Sequence, residues 1–73
     1  MAFVLINVET GSEKKMMDEL KTIPEIKEVY RIYGPYDIIA RVESDTTLNL
    51  KNSINMKIRR LEKVRSTRTM SVI

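Results

Sequence analysis

Residues 31–42, RIYGPYDIIARV, decide the fold of this chain. Segments rich in Ile, Val and Tyr stand on both sides of Gly34 and Pro35, and this pair is typical of a β-turn. The sequence therefore predicts a strand over 26–33, a turn, and a further strand over 36–43. Two strands joined this closely pair antiparallel, because a short connection reverses the direction of the chain.

The segment before this hairpin contains a strand and an amphipathic helix. Residues 2–8, AFVLINV, are apolar and rich in β-branched side chains, which predicts a strand. Residues 12–23 follow, with apolar side chains at spacings that predict a helix. Pro24 is expected to end this helix, since proline lacks a backbone donor. Ser12 or Thr10 is expected to cap its start. The apolar stripe of the helix consists of Met16, Leu20 and Ile23.

The segment after the hairpin repeats this pattern. Ser44 and Asp45 are typical helix caps, and the apolar side chains that follow them share one helix face. Residues 64–73, VRSTRTMSVI, predict the last strand. The order β-α-β-β-α-β predicts an α+β fold of the ferredoxin-like type, a βαββαβ sandwich with both helices on one face of an antiparallel sheet. The apolar positions of the second helix are Leu50, Ile54, Ile58 and Leu61.

Length and composition narrow the possible functions. The chain has 73 residues, so we expect a single domain over 1–73. It contains no cysteine and no histidine, which removes the usual ligands of metal sites and the usual nucleophile–base pairs of enzymes. We therefore expect no catalytic residue, no metal and no cofactor. The sequence shows no membrane-spanning run and no secretory signal, which predicts a cytoplasmic protein with no membrane partner.

Both faces of the predicted sheet carry apolar side chains. In the first strand Val4 and Ile6 share one face, whereas Phe3 and Leu5 share the other. A chain of this size buries only about 60% of its unfolded surface, so we expect self-association through the second face. The alternative is that these apolar side chains are simply exposed. The predicted dimer interface consists of Phe3, Leu5, Tyr30 and Ile39.

Three runs of the sequence resemble a known family. The runs IPEIKEVY at 23–30 and YGPYDII at 33–39 are similar to the effector-binding domain of the Lrp/AsnC regulators, also called the RAM domain. The segment STRT at 66–69 matches the closing strand of that family more loosely. The resemblance implies a non-catalytic domain that senses an amino acid or a related small effector. It also implies dimers of the dimeric α/β barrel type, which assemble further into tetramers or octamers.

Typical members of this family also carry an N-terminal helix-turn-helix domain that binds DNA. The present chain begins almost directly with the first strand, so the resemblance implies a stand-alone effector module. A DNA-binding Lrp/AsnC regulator is then an expected partner, which this chain would modulate by co-assembly through the same sheet surface. Direct DNA binding by the chain itself is not expected.

The resemblance places an effector site between dimers, near the turn that joins the second and third strands. Asp37 matches the Gly-x-x-Asp position of the family and is expected to contact the ammonium group of an amino acid. Backbone groups of Gly34 and Tyr36 are expected to hold its main-chain atoms, and Thr67 and Thr69 are expected to add hydroxyl groups. The alternative is that Asp37 accepts a turn N–H or pairs with a basic side chain, while the two threonines only favour a strand.

A basic segment at 57–68 raises the alternative of direct nucleic-acid binding. Lys57 and Arg60 are expected on a solvated helix face, and Arg65 and Arg68 on opposite strand faces because their spacing is odd. The sequence also lacks the aromatic stacking platform of an RNA-binding sheet. Nucleic-acid binding is therefore the second alternative, after effector sensing. The basic side chains of this segment are Lys57, Arg59, Arg60, Lys63, Arg65 and Arg68.

Overall fold

The computed structural model describes residues 2–43 and 54–71. Within these residues the elements follow the order β-α-β-β-α-β, so the predicted order is confirmed. The strands and helices are β1 (Ala2–Val8), α1 (Glu13–Leu20), β2 (Ile26–Arg31), β3 (Ile38–Val42), α2 (Asn55–Arg59) and β4 (Val64–Ser71).

The strands of the described residues form one four-stranded sheet in the order β2-β3-β1-β4. Every neighbouring pair is antiparallel. The two central strands come from different halves of the chain, so the two βαβ units interleave in the manner of a ferredoxin-like fold. The predicted α+β ferredoxin-like architecture is therefore confirmed.

One face of the sheet packs against the helices and forms the core. In β1 the side chains alternate, so that Val4 and Ile6 are 1% and 0% exposed while Phe3 and Leu5 are only half-buried. The predicted apolar stripes of both helices join this core wherever the structure describes them, and Leu61 packs against its edge. The core consists of Ala2, Val4, Ile6, Val8, Met16, Leu20, Ile23, Ile26, Ile38, Ala40, Val42, Ile54 and Ile58.

The C-terminal end of α1 differs from the prediction. The helix ends at Leu20, well before Pro24. The N–H groups of Thr22 and Ile23 donate to the carbonyl oxygens of Glu19 and Leu20, so tight turns draw the chain out of the helix. Proline therefore does not end this helix.

The N-terminal cap of α1 also differs from the prediction. Ser12 is the residue before the helix, but its side chain makes no capping hydrogen bond, and Thr10 makes none either. The Glu13 carboxylate instead accepts the N–H of Gly11, with distances of 3.1 and 3.2 Å to its two oxygens. Gly11 has a φ of +89°, which glycine adopts without the steric cost of a Cβ.

The connection between β2 and β3 is longer than the predicted Gly-Pro turn. β2 ends at Arg31 and β3 begins at Ile38, so residues 32–37 form a loop. Within this loop Gly34 has a φ of +123°, a conformation that glycine adopts without the steric cost of a Cβ. The strands predicted over 26–33 and 36–43 are therefore each too long.

Three further predictions fall outside the described residues. These are the helix cap at Ser44 and Asp45, the apolar position Leu50, and the last two residues of the strand predicted over 64–73. Within the described residues β4 runs from Val64 to Ser71.

The second face of the sheet, called the open face below, lies opposite the core. Residues that pair across neighbouring strands point to the same side of a sheet. Leu5 pairs with Ile39 and Arg68, and Ile39 also pairs with Tyr30, so these side chains share one row. All of the predicted interface residues lie on this face, and their role in a dimer stays a prediction. The open face comprises Phe3, Leu5, Asn7, Glu28, Tyr30, Ile39, Arg41, Ser66, Arg68 and Met70.

Candidate functional site

Asp37 connects the loop before β3 to two other strands. Its carboxylate oxygen Oδ2 accepts the N–H of Val8 at 3.0 Å. Its own N–H donates to the carbonyl oxygen of Ile6 at 3.0 Å, and its carbonyl oxygen accepts the N–H of Ile32 at 2.9 Å. The Asp37 carboxylate thus accepts the Val8 N–H at the end of β1, and this donor would otherwise have no hydrogen-bond partner.

Arg65 lies in a β-bulge directly beside this point. Asn7 pairs with Ser66 and Val8 pairs with Val64, which leaves Arg65 with no residue opposite it on β1. A bulge interrupts the alternation of side chains and re-aims the extra residue. The prediction that Arg65 and Arg68 lie on opposite faces assumed a regular strand. The strand is not regular at Arg65, so odd spacing does not determine the face of this residue.

A cleft of about 480 Å³ opens where β1 ends and β3 and β4 begin. Its floor is fixed by the hydrogen bond that the Asn7 amide donates to the Ser66 hydroxyl at 3.2 Å. The lining is almost entirely polar, and Val8 is its single apolar residue. The cleft is lined by Asn7, Val8, Thr10, Asp37, Arg65 and Ser66.

The cleft carries opposite charges that do not neutralise each other. Asp37 and Arg65 both line it, but they make no ion pair with one another. Within the described part of the chain, Arg65 makes no side-chain hydrogen bond or ion pair at all. Lys63, two residues before it, pairs instead with Glu9 at 3.3 Å. A guanidinium and a carboxylate held apart in one polar cleft suit a small ligand that bears both charges.

The structure brings only one of the predicted effector residues into this cleft. Asp37 lines it, whereas Gly34 is exposed and Tyr36 half-buried in the loop outside it. Thr67 and Thr69 are paired with the core residues Ile6 and Val4, so they lie on the helix-covered side of β4. The Thr69 hydroxyl hydrogen-bonds to Oδ1 of Asn55 at 2.7 Å.

The remaining residues of the cleft were not predicted from the sequence. Asn7 and Ser66 come together only through the pairing of β1 with β4, which the sequence does not specify. Arg65 reaches the cleft because of the β-bulge. A single basic residue in a β-prone segment does not indicate that a bulge will form there. Thr10 was predicted only as a possible helix cap, not as a residue of a binding site.

A second charged cluster, called the paired cluster below, lies at the other end of β3. The Arg41 guanidinium donates to Glu28 and, at 2.8 Å, to Glu43. The Tyr30 hydroxyl also donates to Glu28. Hydrogen bonds from Tyr30 and Arg41 lower the pKa of the Glu28 carboxyl, and the same bond to Glu28 raises the pKa of the Tyr30 hydroxyl. Each charged group here already has a partner within the chain.

Two of the six basic side chains at 57–68 have acidic partners among the described residues. Lys57 pairs with Glu25 at 2.8 Å, and this hydrogen bond lowers the pKa of the Glu25 carboxyl. Lys63 pairs with Glu9, and Arg65 lines the cleft. The other four basic side chains pair with no acidic side chain among the described residues, and nucleic-acid binding stays the second alternative.

Other kinds of site were searched for across residues 2–43 and 54–71. No group of three or more acidic side chains in these ranges is placed to hold a metal ion. None of the helices described there is long and apolar enough to cross a membrane.

The whole chain matches a known protein family. The family model described as the Lrp/AsnC ligand binding domain matches residues 1–73. The HTH-type transcriptional regulator FL11 of Pyrococcus furiosus is 34% identical over 73 residues, which are 100% of this chain and 48% of that regulator. The chain thus spans about half the length of the curated relatives it matches.

Solved structures share this fold. The crystal structure of FFRP-DM1 superimposes with a TM-score of 0.90 at 42% identity, covering 99% of this chain and 96% of that one. The structure of AsnC from E. coli gives a TM-score of 0.89 over 99% of this chain and 49% of that one. Its 23% identity supports the fold alone. The resemblance seen in the runs at 23–30 and 33–39 is therefore confirmed.

Proposed function

This chain belongs to the family of Lrp/AsnC ligand-binding domains, and we propose that it is a non-catalytic sensor that binds a free amino acid in the cleft between Asp37 and Arg65. The coarser role, effector binding in a regulatory domain, follows from the family. The ligand class and its position are the proposal.

The observation that supports this proposal is the pair of unneutralised opposite charges in one polar cleft. A free amino acid carries an ammonium and a carboxylate on neighbouring atoms. Arg65 can take the carboxylate, because its planar guanidinium donates two parallel hydrogen bonds to such a group. Asp37 can take the ammonium, since its Oδ2 already accepts Val8 N–H and its other oxygen is available. Thr10 and Ser66 add hydroxyl groups beside these charges.

The other predicted effector residues stay predictions. Gly34 and Tyr36 belong to the loop that leads into Asp37, so a ligand that extends out of the cleft toward this loop would reach their backbone groups. Thr67 and Thr69 lie on the helix-covered side, and the Thr69 hydroxyl is already bonded to Asn55. Any contribution of these two residues requires that β4 or the helix layer rearrange.

Assembly through the open face is the second part of the proposal. Phe3, Leu5 and Ile39 are half-buried there, and Tyr30 is 51% exposed, although the chain is small. Fully burying an exposed side chain of this kind contributes roughly 1.5–3 kcal/mol, and covering the part of each side chain that is still exposed here contributes a share of that. We propose a homodimer through this face, with further assembly to tetramers or octamers. A DNA-binding regulator of the same family could join through the same face.

Effector binding and assembly would be coupled by mass action. If the cleft is completed by a neighbouring copy, a bound amino acid favours the assembled state by the difference between its affinities for the two states. The chain would then act on a regulator by changing which assemblies form, without any catalytic step.

A thermal-unfolding screen against the twenty amino acids tests the proposed ligand class. A ligand at a hundred times its Kd adds about 2.7 kcal/mol of stability, which raises the unfolding midpoint of a domain this small by roughly 10–20 °C. We expect such a rise for one or a few amino acids. Equal midpoints with all twenty would contradict the proposal.

Two arginine variants locate the site. Arg65→Met should reduce affinity about 10- to 150-fold, because it removes charge-assisted hydrogen bonds worth about 1.5–3 kcal/mol. Arg60→Met is the matched control, since Arg60 is exposed just after α2 and does not line the cleft. Full affinity in Arg65→Met would remove the cleft from the proposal and leave amino-acid binding to another site.

A further inference from the structure

Arg68 stands at the end of a row of otherwise uncharged side chains on the open face. Its partner on β1 is Leu5, and the row continues through Ile39 to Tyr30. Arg68 is exposed and makes no hydrogen bond or ion pair with any described residue. A cation on a surface that becomes buried needs a partner, because removing it from water without one carries a large free-energy cost.

The opposite edge of the same face carries the complementary charge. In the paired cluster two carboxylates, from Glu28 and Glu43, share the single guanidinium of Arg41. Glu28 is thus the carboxylate that the open face presents on β2. Glu28 and Tyr30 lie on β2 and Arg68 on β4, and these are the two edge strands of the sheet among the described residues. The open face therefore carries a carboxylate on one edge strand and, on the other, a cation with no partner among the described residues.

We propose that Arg68 of one copy pairs with Glu28 of a second copy when two open faces pack together, and that this contact selects the partner. The inference depends on the assembly through the open face proposed above. A two-fold axis that runs along the strands between the packed sheets places β4 of each copy over β2 of the other. Arg68 then lies over the Tyr30–Glu28 pair, and the symmetry makes the contact twice. The exposed ring of Tyr30 offers Arg68 a cation–π surface as well.

The apolar centre and the charged edges have different tasks in this arrangement. Phe3, Leu5 and Ile39 bury area against any apolar surface and do not distinguish partners. The charged edges do, because a partner with a basic residue opposite Arg68 places like charges together, whereas an acidic one neutralises them. A regulator of the same family would co-assemble with this chain only if it presents an acid at that place.

Charge reversal in two separate variants tests the pairing. In Arg68→Glu both contacts of the homodimer become acid against acid, and in Glu28→Lys both become base against base. An equimolar mixture of the two variants forms a heterodimer in which both contacts again join opposite charges. We expect each variant alone to raise the dimer Kd at least about 10-fold, and the mixture to return close to the wild-type value. Sedimentation velocity and native mass spectrometry distinguish the species.

Two controls separate this contact from effects on folding. Arg60→Glu reverses a charge outside the open face and should leave the dimer Kd unchanged. The double variant Arg68→Glu/Glu28→Lys should dimerise like the wild type. Glu28→Lys also removes the bonds of Glu28 to Tyr30 and Arg41, so recovery in the double variant shows that the fold survives this loss.

Different results would overturn different parts of the inference. If the wild type dimerises but the mixture of variants dimerises no more tightly than either variant alone, the Arg68–Glu28 pairing is wrong and the proposed dimer is unaffected. A wild type that stays monomeric at all concentrations overturns the proposed assembly and the pairing with it. Amino-acid binding in the cleft is tested separately by the binding measurement, and a monomeric wild type that binds an amino acid would remove only the coupling to assembly.

Discussion

The two charged clusters at the ends of β3 differ in one respect. At the C-terminal end, in the paired cluster, Arg41 is bonded to Glu28 and Glu43, and Tyr30 completes the set. At the N-terminal end Asp37 and Arg65 line one cleft without pairing. In the first cluster every charged group already has a partner within the chain. The second cluster leaves a cation and part of a carboxylate free for a ligand.

In the proposed account, this difference separates a structural use of charge from a ligand-binding one. Surface ion pairs contribute little to stability, with a typical value of about 0–1 kcal/mol. Opposite charges held apart do not gain even this, and we propose that their separation serves the recognition of a ligand. Asp37 combines both uses, because one oxygen fixes the backbone of Val8 while the other faces no donor in the described chain.

Replacing Asp37 should give the largest effect. Asp37→Ala leaves the N–H of Val8 without an acceptor, which costs about 1–3 kcal/mol of folding free energy, and removes the partner of the ligand ammonium. Asp37→Asn keeps an acceptor oxygen, so it should fold nearly as stably as the wild type and still lose the amino acid. Urea unfolding and calorimetric binding measure the two effects. An Asp37→Asn variant that binds normally would show that the carboxylate is only structural, as in the paired cluster.

Replacing Thr69 should give a smaller effect, confined to stability. Thr69→Val removes the hydrogen bond to Asn55, which costs about 1 kcal/mol, and should leave amino-acid affinity unchanged because Thr69 does not line the cleft. Thr67→Val, at the other threonine predicted from the sequence, is the companion variant. If Thr69→Val instead loses amino-acid affinity while its stability is unchanged, Thr69 belongs to the effector site, and the site extends beyond the cleft.

The paired cluster should make the free energy of unfolding depend slightly on pH. The pKa of Glu28 lies below its ordinary value of 4.5, so its contribution is present above that pH and is lost as the pH falls through the lowered pKa. The pKa of Tyr30 lies above 10.0, so its contribution is present below that pH and is lost as the pH rises through the raised pKa.

Glu28→Gln isolates the acidic side of this dependence. The variant should unfold at a slightly lower temperature than the wild type at neutral pH, and the difference should narrow at pH 3. Unfolding midpoints at a series of pH values measure it, at fixed protein concentration. A constant difference at all pH values would mean that the ionised carboxylate of Glu28 contributes nothing to the fold.

The fold could be predicted from the sequence because its signals are local. The alternation of Val4 and Ile6 with Phe3 and Leu5 and the helical spacing of Met16 and Leu20 describe individual elements, and the element order then restricts the topology. The ends of the elements were less predictable. The end of α1 at Leu20 and the loop over 32–37 depend on turns formed by a few backbone hydrogen bonds.

The cleft could be predicted only in part, because the strand register determines which residues line it. Asp37 gave a signal, as a carboxylate before an apolar strand. Arg65 and Ser66 are brought to Asn7 by the pairing of β1 with β4 and by a bulge, which depend on residues far apart in the chain. The threonines expected in the site have the right chemistry, but the register turns Thr67 and Thr69 toward the helices.

Calorimetric titration with amino acids and their singly charged derivatives tests the central claim most directly. All twenty amino acids are titrated first, and any that binds is compared with its N-acetyl form, which lacks the ammonium, and its amide form, which lacks the carboxylate. The cleft between Asp37 and Arg65 predicts that at least one amino acid binds and that both derivatives lose at least about 10-fold in affinity. A derivative that binds as tightly as the free amino acid, or no binding by any of the twenty, would contradict the claim.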